Sequence, residues 1–344
     1  MAQLRINAYG IFILSISLLT FILFWITSRR SVLDIDAPVI SVRRLLSTCI
    51  LLSEEAGDKI REIYQRKMLQ TSQKLSNEPI TQADIESNKI IMSRLFKGVP
   101  GIILRSEEEL DIDDWKSIPT LRGEHPEVKE IIHNRDLFAR LTELTVWVDP
   151  LDATQEFTEG ITDPVAVLIC IALGDNPIAG VVHQPFTNQT YWSWKFFGDS
   201  KTVSKLRPKE AKVLKSGDKI RVVVSRSHIS ASSKNSLKAL LRPFDAEITS
   251  YGGSAFKVLE MLSGKADLYI HPTASRKWDL CAPNAILNSL GGIMVHMKPS
   301  TKPISYSSNS ENLIQASSGF WATPHMSIYN ELKDRMEHIF ASLP

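Results

Sequence analysis

The octapeptide WVDPLDAT, residues 147–154, places two aspartates on either side of a proline turn. The apolar run LTVWV before it predicts a strand that ends at Asp149. Because Pro150 fixes φ directly after that strand, the turn can direct Asp149 and Asp152 the same way, with the Leu151 carbonyl between them. Magnesium prefers carboxylate and carbonyl oxygens. The segment therefore indicates a magnesium site, although an ordinary Asp-Pro turn would have the same residues.

Acidic residues stand at three further element boundaries. Glu107 and Glu108 follow a short apolar stretch that predicts a buried strand. Asp84 and Asp279 each lie at the start of a predicted helix, where an aspartate also serves as an ordinary N-cap. Together with WVDPLDAT, these residues make four separated acidic points, each at a boundary where a cleft can form.

A second set of polar residues suits an anionic ligand. Ser225 and His228 come just after a predicted strand, and Gly253 and Lys257 flank the start of a predicted helix. Backbone amides at a helix start bind phosphate, and a lysine adds a positive charge. The alternative is that the serine-rich segment only caps a helix and that Lys257 is a solvated surface residue.

Composition sets the broad class of the protein. The chain has 344 residues, of which 43% are hydrophobic and 23% charged, enough for one large domain or two packed halves. The formal net charge of +2 gives no reason to expect binding to a nucleic-acid polymer. Most of the acidic stretch 107–114 is expected to be a solvated loop. Oligomeric state is open, and an oligomer is compatible with the sequence.

The cysteines give no metal or disulfide signal. Cys49, Cys170 and Cys281 are far apart, odd in number and without CxxC spacing. This pattern argues against a zinc site and against a disulfide framework. We therefore expect each cysteine to be a small buried apolar residue.

The N-terminus differs from the rest of the chain. Residues 11–26 form an uncharged apolar run that, with its neighbours, approaches the ~20 residues needed to span a bilayer. A cleaved signal peptide would need small residues at its cleavage site, but the run ends in FWITSRR. We expect an uncleaved anchor, whose orientation the basic residues on both sides leave open. The sequon at Asn188 is usable only in a secretory lumen.

The remaining pattern predicts an α/β protein. Helices are expected at 42–63, 84–96, 234–241, 254–262 and 279–290, and strands at 101–104, 144–148, 164–173, 178–183, 191–194, 220–224, 266–270 and 293–296. The order of these elements indicates a sandwich with an antiparallel first sheet and a mixed second sheet. Residues 111–142 are long, polar and rich in Pro, Asp and Glu, and we expect a surface excursion.

Four segments are expected along the chain: a membrane anchor at 1–30, a linker at 31–40, an N-terminal half with the metal site at 41–218, and a C-terminal substrate-binding half at 219–344. The boundary between the halves falls in a lysine-rich stretch without periodicity, 198–218. No internal repeat is visible.

Taken together, these motifs resemble the inositol monophosphatase superfamily of lithium-sensitive magnesium phosphatases. Its marks are an acidic pair after a strand, then D-P-[IL]-D-[GA]-T, then W-D near the start of a late helix. They occur here in that order, and Thr81 with Asp84 matches the upstream Thr-x-x-Asp element. The resemblance, over about residue 41 to the C-terminus, implies a layered αβαβα sandwich of the inositol monophosphatase/fructose bisphosphatase type.

The resemblance implies a role for each acidic residue. One magnesium ion would be held by Glu107, Asp149 and the Leu151 carbonyl, and a second by Asp149, Asp152 and Asp279. A third, weaker ion would lie near Glu107. Metals of this kind lower the pKa of bound water and stabilise the leaving oxygen.

The remaining implied roles concern the nucleophile and the ligand. Asp84 and Thr154 would position and deprotonate the attacking water, and Glu108 would orient the neighbouring metal ligand. The substrate-binding residues implied by the resemblance are Ser225, His228, Gly253 and Lys257.

Within the superfamily the chain resembles the Golgi branch that acts on adenosine 3′,5′-bisphosphate. Ala153 replaces the glycine usual in the wider family, as in that branch, and the strings VVSRSH, KADLYIH and KWDLCA point the same way. The resemblance implies hydrolysis of the 3′-phosphate in the Golgi lumen, which would clear a by-product of sulfation. The alternatives are an inositol phosphate phosphatase with the same metals and a membrane-tethered binding protein without activity.

Overall fold

The structure is a computed structural model that describes residues 17, 18, 20, 37–66, 71–73, 79–109, 123–207, 212–315 and 317–343. The predicted anchor at 1–30 lies outside the described residues, apart from three positions. Among the described residues no helix is both long and apolar enough to cross a bilayer. The predicted linker at 31–40 lies mostly outside them too, and its last residues begin a strand rather than continuing as an irregular connection.

The helices are α1 (Val42–Gln65), α2 (Gln82–Gly98), α3 (Pro126–Ile132), α4 (Thr154–Thr158), α5 (Lys201–Ser204), α6 (Ala231–Leu240), α7 (Ser254–Leu262), α8 (Lys277–Ser289) and α9 (Met326–Ala341). A short 3-10 helix, Leu141–Glu143, precedes the longest central strand.

The first sheet contains β4 (Ile103–Ser106), β6 (Leu144–Asp152), β7 (Ala166–Leu173), β8 (Asn176–Gln184), β9 (Gln189–Trp194) and β10 (Gly198–Asp199), in the spatial order β10-β9-β8-β7-β6-β4. The second contains β11 (Lys219–Ser225), β12 (Asp245–Tyr251), β13 (Leu268–His271), β15 (Ile293–His296) and β17 (Phe320–Thr323), in the order β12-β11-β13-β17-β15. Three two-stranded pairs join β1 (Val39–Ser41) to β5 (Phe138–Arg140), β2 (Thr71–Gln73) to β3 (Pro79–Thr81), and β14 (Ser275–Arg276) to β16 (Leu313–Ile314).

The first sheet separates two hydrophobic cores. Along β6 and β7 successive side chains point to opposite faces, so Val148 and Ile169 join one core while Trp147 and Leu168 join the other. The outer core is closed by the apolar stripes of α1 and α2. Ser41 caps α1, because its hydroxyl accepts a hydrogen bond from the Arg44 N–H at 3.0 Å.

The inner core is filled by α7 and α8, which lie between the two sheets. Gly180 on β8 lets α8 approach closely, since a Cβ atom there would collide with the Ala282 carbonyl. The far face of the second sheet packs against α6 and α9 in a third core. The resulting layers run helix, sheet, helix, sheet, helix.

Sheet directions agree with the prediction in most places. The first sheet is antiparallel except for the parallel pairing of β4 with β6. The second sheet is mixed, because β11 runs parallel to β12 and β13 while β17 runs antiparallel to β13 and β15. Sequence patterning did not identify β12, β17 or α9.

Two local predictions were wrong. The described part of the expected excursion, from residue 123 onward, is not a surface loop, because Val128 and Ile132 of α3 are buried in the outer core and β5 pairs with β1. The predicted strand at 144–148 does not end at Asp149, because β6 continues to Asp152.

The cysteine prediction was also wrong in part. Cys170 on β7 and Cys281 on α8 form a disulfide, and Cys49 is the buried free cysteine. Their separation of 111 residues along the chain concealed the pair, and only the packing of α8 on the first sheet brings their Cα atoms to 5.6 Å. The bond ties the middle layer to the sheet two residues after Asp279.

We expect the disulfide to stabilise the folded state. A bond that closes a loop of this size restricts the unfolded chain, and loss of a native disulfide typically costs about 2–5 kcal/mol. The Cys170→Ala/Cys281→Ala variant should therefore unfold at lower urea concentration than the parent. Dithiothreitol should shift the parent midpoint toward the variant and leave the variant unchanged, and a shift of both proteins by the same amount would contradict the assignment.

Candidate metal centre

Strand β6 carries the acidic pair of the WVDPLDAT segment. Its pairing with β7 is regular up to Asp149, is interrupted at Pro150 and Leu151, and resumes at Asp152. Pro150 has no N–H to donate, so the ladder breaks there and the strand bulges. The Leu151 N–H instead donates to Asp149 Oδ1 at 3.0 Å, which holds the first carboxylate against the bulge.

The parallel pairing of β4 with β6 brings a third carboxylate alongside. Ser106 pairs with Val148, and the Glu107 N–H then donates to the Val148 carbonyl at 3.1 Å. Glu107 therefore lies beside Asp149 at the same end of the sheet. Glu108 is buried, and its carbonyl accepts a hydrogen bond from Asn88 Nδ2 at 3.0 Å.

Asp279 reaches the same place from the middle layer. It lies in the first turn of α8, and its Oδ2 accepts from the Arg276 N–H at 3.2 Å and the Ser275 hydroxyl at 3.3 Å. One carboxylate oxygen from each of Glu107, Asp149 and Asp279 lies within 4.8 Å of the others. The structure thus gathers three of the predicted ligands into one cluster.

Asp152 has a different environment. Its carboxylate lies at the N-terminus of α7, where it accepts from the Ser254 N–H at 3.2 Å and the Ala255 N–H at 3.0 Å. The Ser254 hydroxyl donates to the Asp279 carbonyl, which joins the starts of α7 and α8. Asp152 therefore caps the N-terminus of α7, a role that the sequence had suggested only for Asp84 and Asp279.

Asp84 is buried next to Thr154. Its Oδ1 accepts from the Thr154 hydroxyl at 3.0 Å, and its Oδ2 accepts from the Thr81 N–H at 2.8 Å and the Thr81 hydroxyl at 2.6 Å. Thr81 and Asp84 form a capping box at the start of α2. One oxygen of the Asp84 carboxylate thus caps α2, and the other oxygen accepts a hydrogen bond from Thr154.

Burial dominates the electrostatics of these carboxylates. It raises the pKa of Asp149 and of Asp279 well above the usual value, and repulsion from Glu107 and Asp152 adds to the effect for both. Burial also raises the pKa of Asp84 to about 6. Asp152 has a pKa raised to about 6 by burial, with the Lys257 charge opposing the rise.

The donor set fits a hard divalent cation. Asp149 is buried, Glu107 and Asp279 are half-buried, and one carboxylate oxygen of each lies within 4.8 Å of the others. A cation would relieve both the desolvation and the mutual repulsion. Carboxylate oxygens together with the Leu151 carbonyl are the ligands that Mg²⁺ selects.

The predicted substrate-binding residues share a cavity with the acidic cluster. Ser225, His228, Gly253 and Lys257 line a space of about 550 Å³ together with Glu107, Asp149, Asp152, Thr154 and Asp279. Asp84 and Glu108 do not line it. Glycine is required at position 253, where φ is +60° and a Cβ atom would lie 2.9 Å from the Pro164 carbonyl.

Lys257 is not the solvated surface residue of the alternative interpretation. It is buried, and its ammonium group donates to the carbonyls of Gly253 and Tyr251 and lies 5.2 Å from the centre of the Tyr269 ring. Burial lowers its pKa to about 8.

Several cavity residues were not identified from the sequence. Among them are Glu156, Tyr269, His271, Thr273 and Arg276. The string KADLYIH ended at His271 without a role for that residue; burial lowers its pKa to about 3, so its ring is neutral. The positions of Thr273 and Arg276 carried no signal in a single sequence, because they depend on the pairing of β14 with β16.

Comparison with known proteins shows which family this sequence and this fold match. Residues 42–337 match the model of the Inositol monophosphatase family. The chain is 33% identical over 286 residues to the Golgi-resident adenosine 3′,5′-bisphosphate 3′-phosphatase of Rattus norvegicus, covering 79% of this chain and 76% of that protein. It is 32% identical over 273 residues to inositol monophosphatase 3 of Xenopus tropicalis, covering 75% and 72%.

Solved structures show the same fold. CysQ from Bacteroides thetaiotaomicron superposes with a TM-score of 0.58 at 21% identity, covering 82% of this chain and 97% of that one. Inositol monophosphatase from Anabaena superposes with a TM-score of 0.56 at 17% identity, covering 88% and 97%. These likenesses confirm the layered sandwich with mixed sheets.

Magnesium should stabilise this fold through the acidic cluster. Because folding raises the pKa of Asp149 above its usual value, the ionised side chain destabilises the metal-free folded state at neutral pH. In EDTA at pH 7.5, Asp149→Asn should therefore unfold at the same temperature as the parent or higher. Magnesium at 100 times its Kd should stabilise the parent by about 2.7 kcal/mol and the variant by much less.

The matched control for that experiment is Asp334→Asn, which removes an exposed carboxylate on α9. It should respond to magnesium as the parent does. Equal stabilisation of all three proteins by magnesium would contradict a metal centre at Asp149.

Proposed function

The chain belongs to the inositol monophosphatase family, and on that premise we propose that it is a magnesium-dependent phosphatase that hydrolyses the 3′-phosphate of adenosine 3′,5′-bisphosphate to AMP and phosphate. The observation that carries the proposal is the convergence of Glu107, Asp149 and Asp279 in a cavity of nucleotide size. The nucleotide is favoured because relatives at 33% identity from several mammals have that activity in their names.

In the proposed metal site, Glu107, Asp149 and the Leu151 carbonyl would hold one Mg²⁺ ion, and Asp149, Asp152 and Asp279 would hold a second. Such ions would supply a lowered pKa of bound water and stabilisation of the phosphoryl charge. A third ion near Glu107 and inhibition by Li⁺ belong to the same proposal. Glu108, which is buried next to Glu107, would orient the Glu107 carboxylate toward the metal.

Asp84 and Thr154 are proposed to accept the proton of the attacking water. The Thr154 hydroxyl lies 3.0 Å from Asp84 Oδ1 and 2.9 Å from the Leu151 carbonyl. When this hydroxyl donates to Asp84, its free lone pairs can accept a hydrogen bond from water. A carboxyl pKa near 6 suits a proton acceptor at neutral pH, since it is ionised there and still basic.

The opposite part of the cavity is proposed to bind the nucleoside. Ser225 and His228 lie at the end of β11, and Gly253 and Lys257 lie at the start of α7. The ammonium group of Lys257 already holds the loop carbonyls, so we assign it to shaping this wall and supplying positive charge. The division into a metal-binding half at 41–218 and a substrate-binding half at 219–344 remains part of the proposal, with Asp279 crossing it.

A second candidate is hydrolysis of an inositol phosphate. Relatives named inositol monophosphatase 3, at 30–32% identity, favour it. A third, a membrane-tethered binding protein without activity, has the intact acidic cluster against it.

Phosphate release separates the three candidates. The full chain in detergent micelles should release phosphate from adenosine 3′,5′-bisphosphate with magnesium, and not in EDTA or in lithium excess. Asp149→Asn and Asp84→Asn should lower kcat by at least about 10²- to 10³-fold, the usual effect of removing a group that acts on the transition state.

Asp334→Asn is again the control and should retain full activity. Release only from inositol monophosphate would select the second candidate. If the folded parent released phosphate from neither compound, the binding protein would be left.

For location, we propose a single-pass Golgi membrane protein with its catalytic part in the lumen, anchored by residues 1–30. Three observations support this. Relatives have Golgi residence in their names, the Cys170–Cys281 disulfide suits an oxidising compartment, and Asn188 is exposed on the turn between β8 and β9.

Glycosylation reports on that topology. If the catalytic part is lumenal, peptide-N-glycosidase treatment of the cell-derived protein should lower its apparent mass. The shift should disappear in Asn188→Gln and persist in Gln189→Asn, which keeps the sequon. Full protection of the catalytic part from protease in sealed Golgi vesicles should accompany it, and cleavage in intact vesicles would contradict lumenal placement.

A further inference from the structure

The cavity extends well beyond the acidic cluster. Its volume of about 550 Å³ is in the range of sites for whole small molecules, whereas a single phosphate would fill only part of it. The carboxylates of Glu107, Asp149 and Asp279 form one cluster in it, with oxygens within 4.8 Å of one another. The wall also includes two basic side chains, Lys257 and Arg276.

Lys257 is already engaged within the protein. Its ammonium group donates to two backbone carbonyls, and its charge opposes the rise that burial causes in the pKa of Asp152. Two of its three N–H groups are therefore occupied by backbone carbonyls of the loop at Gly253. Its buried charge interacts with Asp152.

Arg276 is placed differently. Its backbone is fixed, because the N–H donates to Asp279 Oδ2 at 3.2 Å and the residue pairs with Leu313. The guanidinium carbon lies 5.7 Å from the centre of the Trp278 ring, a cation–π contact that restricts the side chain. Across the described residues, no carboxylate forms an ion pair with it.

Arg226, which lies between the cavity residues Ser225 and Ser227 in the chain, shows the contrast. It forms ion pairs with Glu156 at 3.0 Å and with Glu159, and it does not line the cavity. The charge of Arg226 is neutralised by carboxylates of the protein, whereas the charge of Arg276 is available to a ligand. A guanidinium presents parallel N–H groups that match two oxygens of one phosphate.

We propose that Arg276 forms a site for a second phosphate, the one that is not hydrolysed, on the cavity wall beside the metal centre. This inference rests on the proposed function and deepens it. A substrate held by magnesium at its 3′-phosphate and by Arg276 at its 5′-phosphate is bound at both ends. Arg276 therefore selects bisphosphates over monophosphates.

Truncating the substrate tests this selection. Arg276→Gln should lower kcat/KM for adenosine 3′,5′-bisphosphate about 10- to 100-fold, the effect of losing a hydrogen bond to a charged group. For adenosine 3′-monophosphate, which has no 5′-phosphate, kcat/KM should change less than about twofold. Arg276→Lys should recover part of the loss, because it restores the charge without the paired N–H groups.

Arg207→Gln is the matched control. It removes one positive charge from an exposed arginine that pairs with Asp199 at 2.8 Å and does not line the cavity. It should leave both substrates unaffected. Equal losses on both substrates in Arg276→Gln would overturn the proposal, since the residue would then act only through Asp279, and unchanged kinetics on both would overturn it too.

Binding without turnover keeps this test independent of the proposed reaction. In EDTA, where the acidic cluster repels phosphate, the parent should bind AMP about tenfold or more tightly than adenosine in calorimetry. Arg276→Gln should reduce AMP affinity to that of adenosine. No preference for AMP in the parent would overturn the phosphate site, whereas AMP binding without phosphate release would refute only the proposed reaction.

Discussion

Repulsion among the carboxylates of Glu107, Asp149 and Asp279, whose oxygens lie within 4.8 Å of one another, is the constraint on which the arrangement of the site depends. Carboxylate side chains this close would move apart if their backbones allowed it. Glu107 and Asp149 cannot separate, because β4 and β6 are hydrogen-bonded neighbours in a sheet with a core on each face. Asp279 cannot withdraw, because α8 is buried between two sheets and bonded to β7 through Cys281.

Two helix N-termini partly offset this repulsion. α7 directs backbone N–H groups at Asp152, and α8 begins with Asp279 in its first turn. The N-terminus of a helix carries roughly half a positive charge, so both helices favour ionised carboxylates there. The ammonium group of Lys257 adds positive charge from a buried position on α7. Full compensation still requires a cation, and the same uncompensated charge makes the cavity suitable for metal-assisted phosphate chemistry.

The cavity contains acidic and basic groups that come from different parts of the chain. The first sheet supplies most of the acidic residues, which lie on β6 and directly after β4. The ends of β11 and β13, the segments after them and β14 supply the histidines, hydroxyls and Arg276. The cavity thus combines a cation-binding acidic cluster with hydroxyl, imidazole and guanidinium groups that can donate hydrogen bonds to the rest of a phosphorylated ligand.

The sequence alone determined the fold class, the paired sheets and the acidic positions. Periodicity revealed α1, β7 and α7, and WVDPLDAT revealed the carboxylates, because a proline after a strand leaves a local signature. Only the tertiary structure decided which acids meet: Asp279 joins Glu107 and Asp149, while Asp152 receives the α7 N–H groups. It also decided the Cys170–Cys281 bond and the place of Arg276. Those outcomes depend on how α8 packs between the sheets and how β14 pairs with β16, and contacts between residues far apart in the chain leave no trace in local spacing.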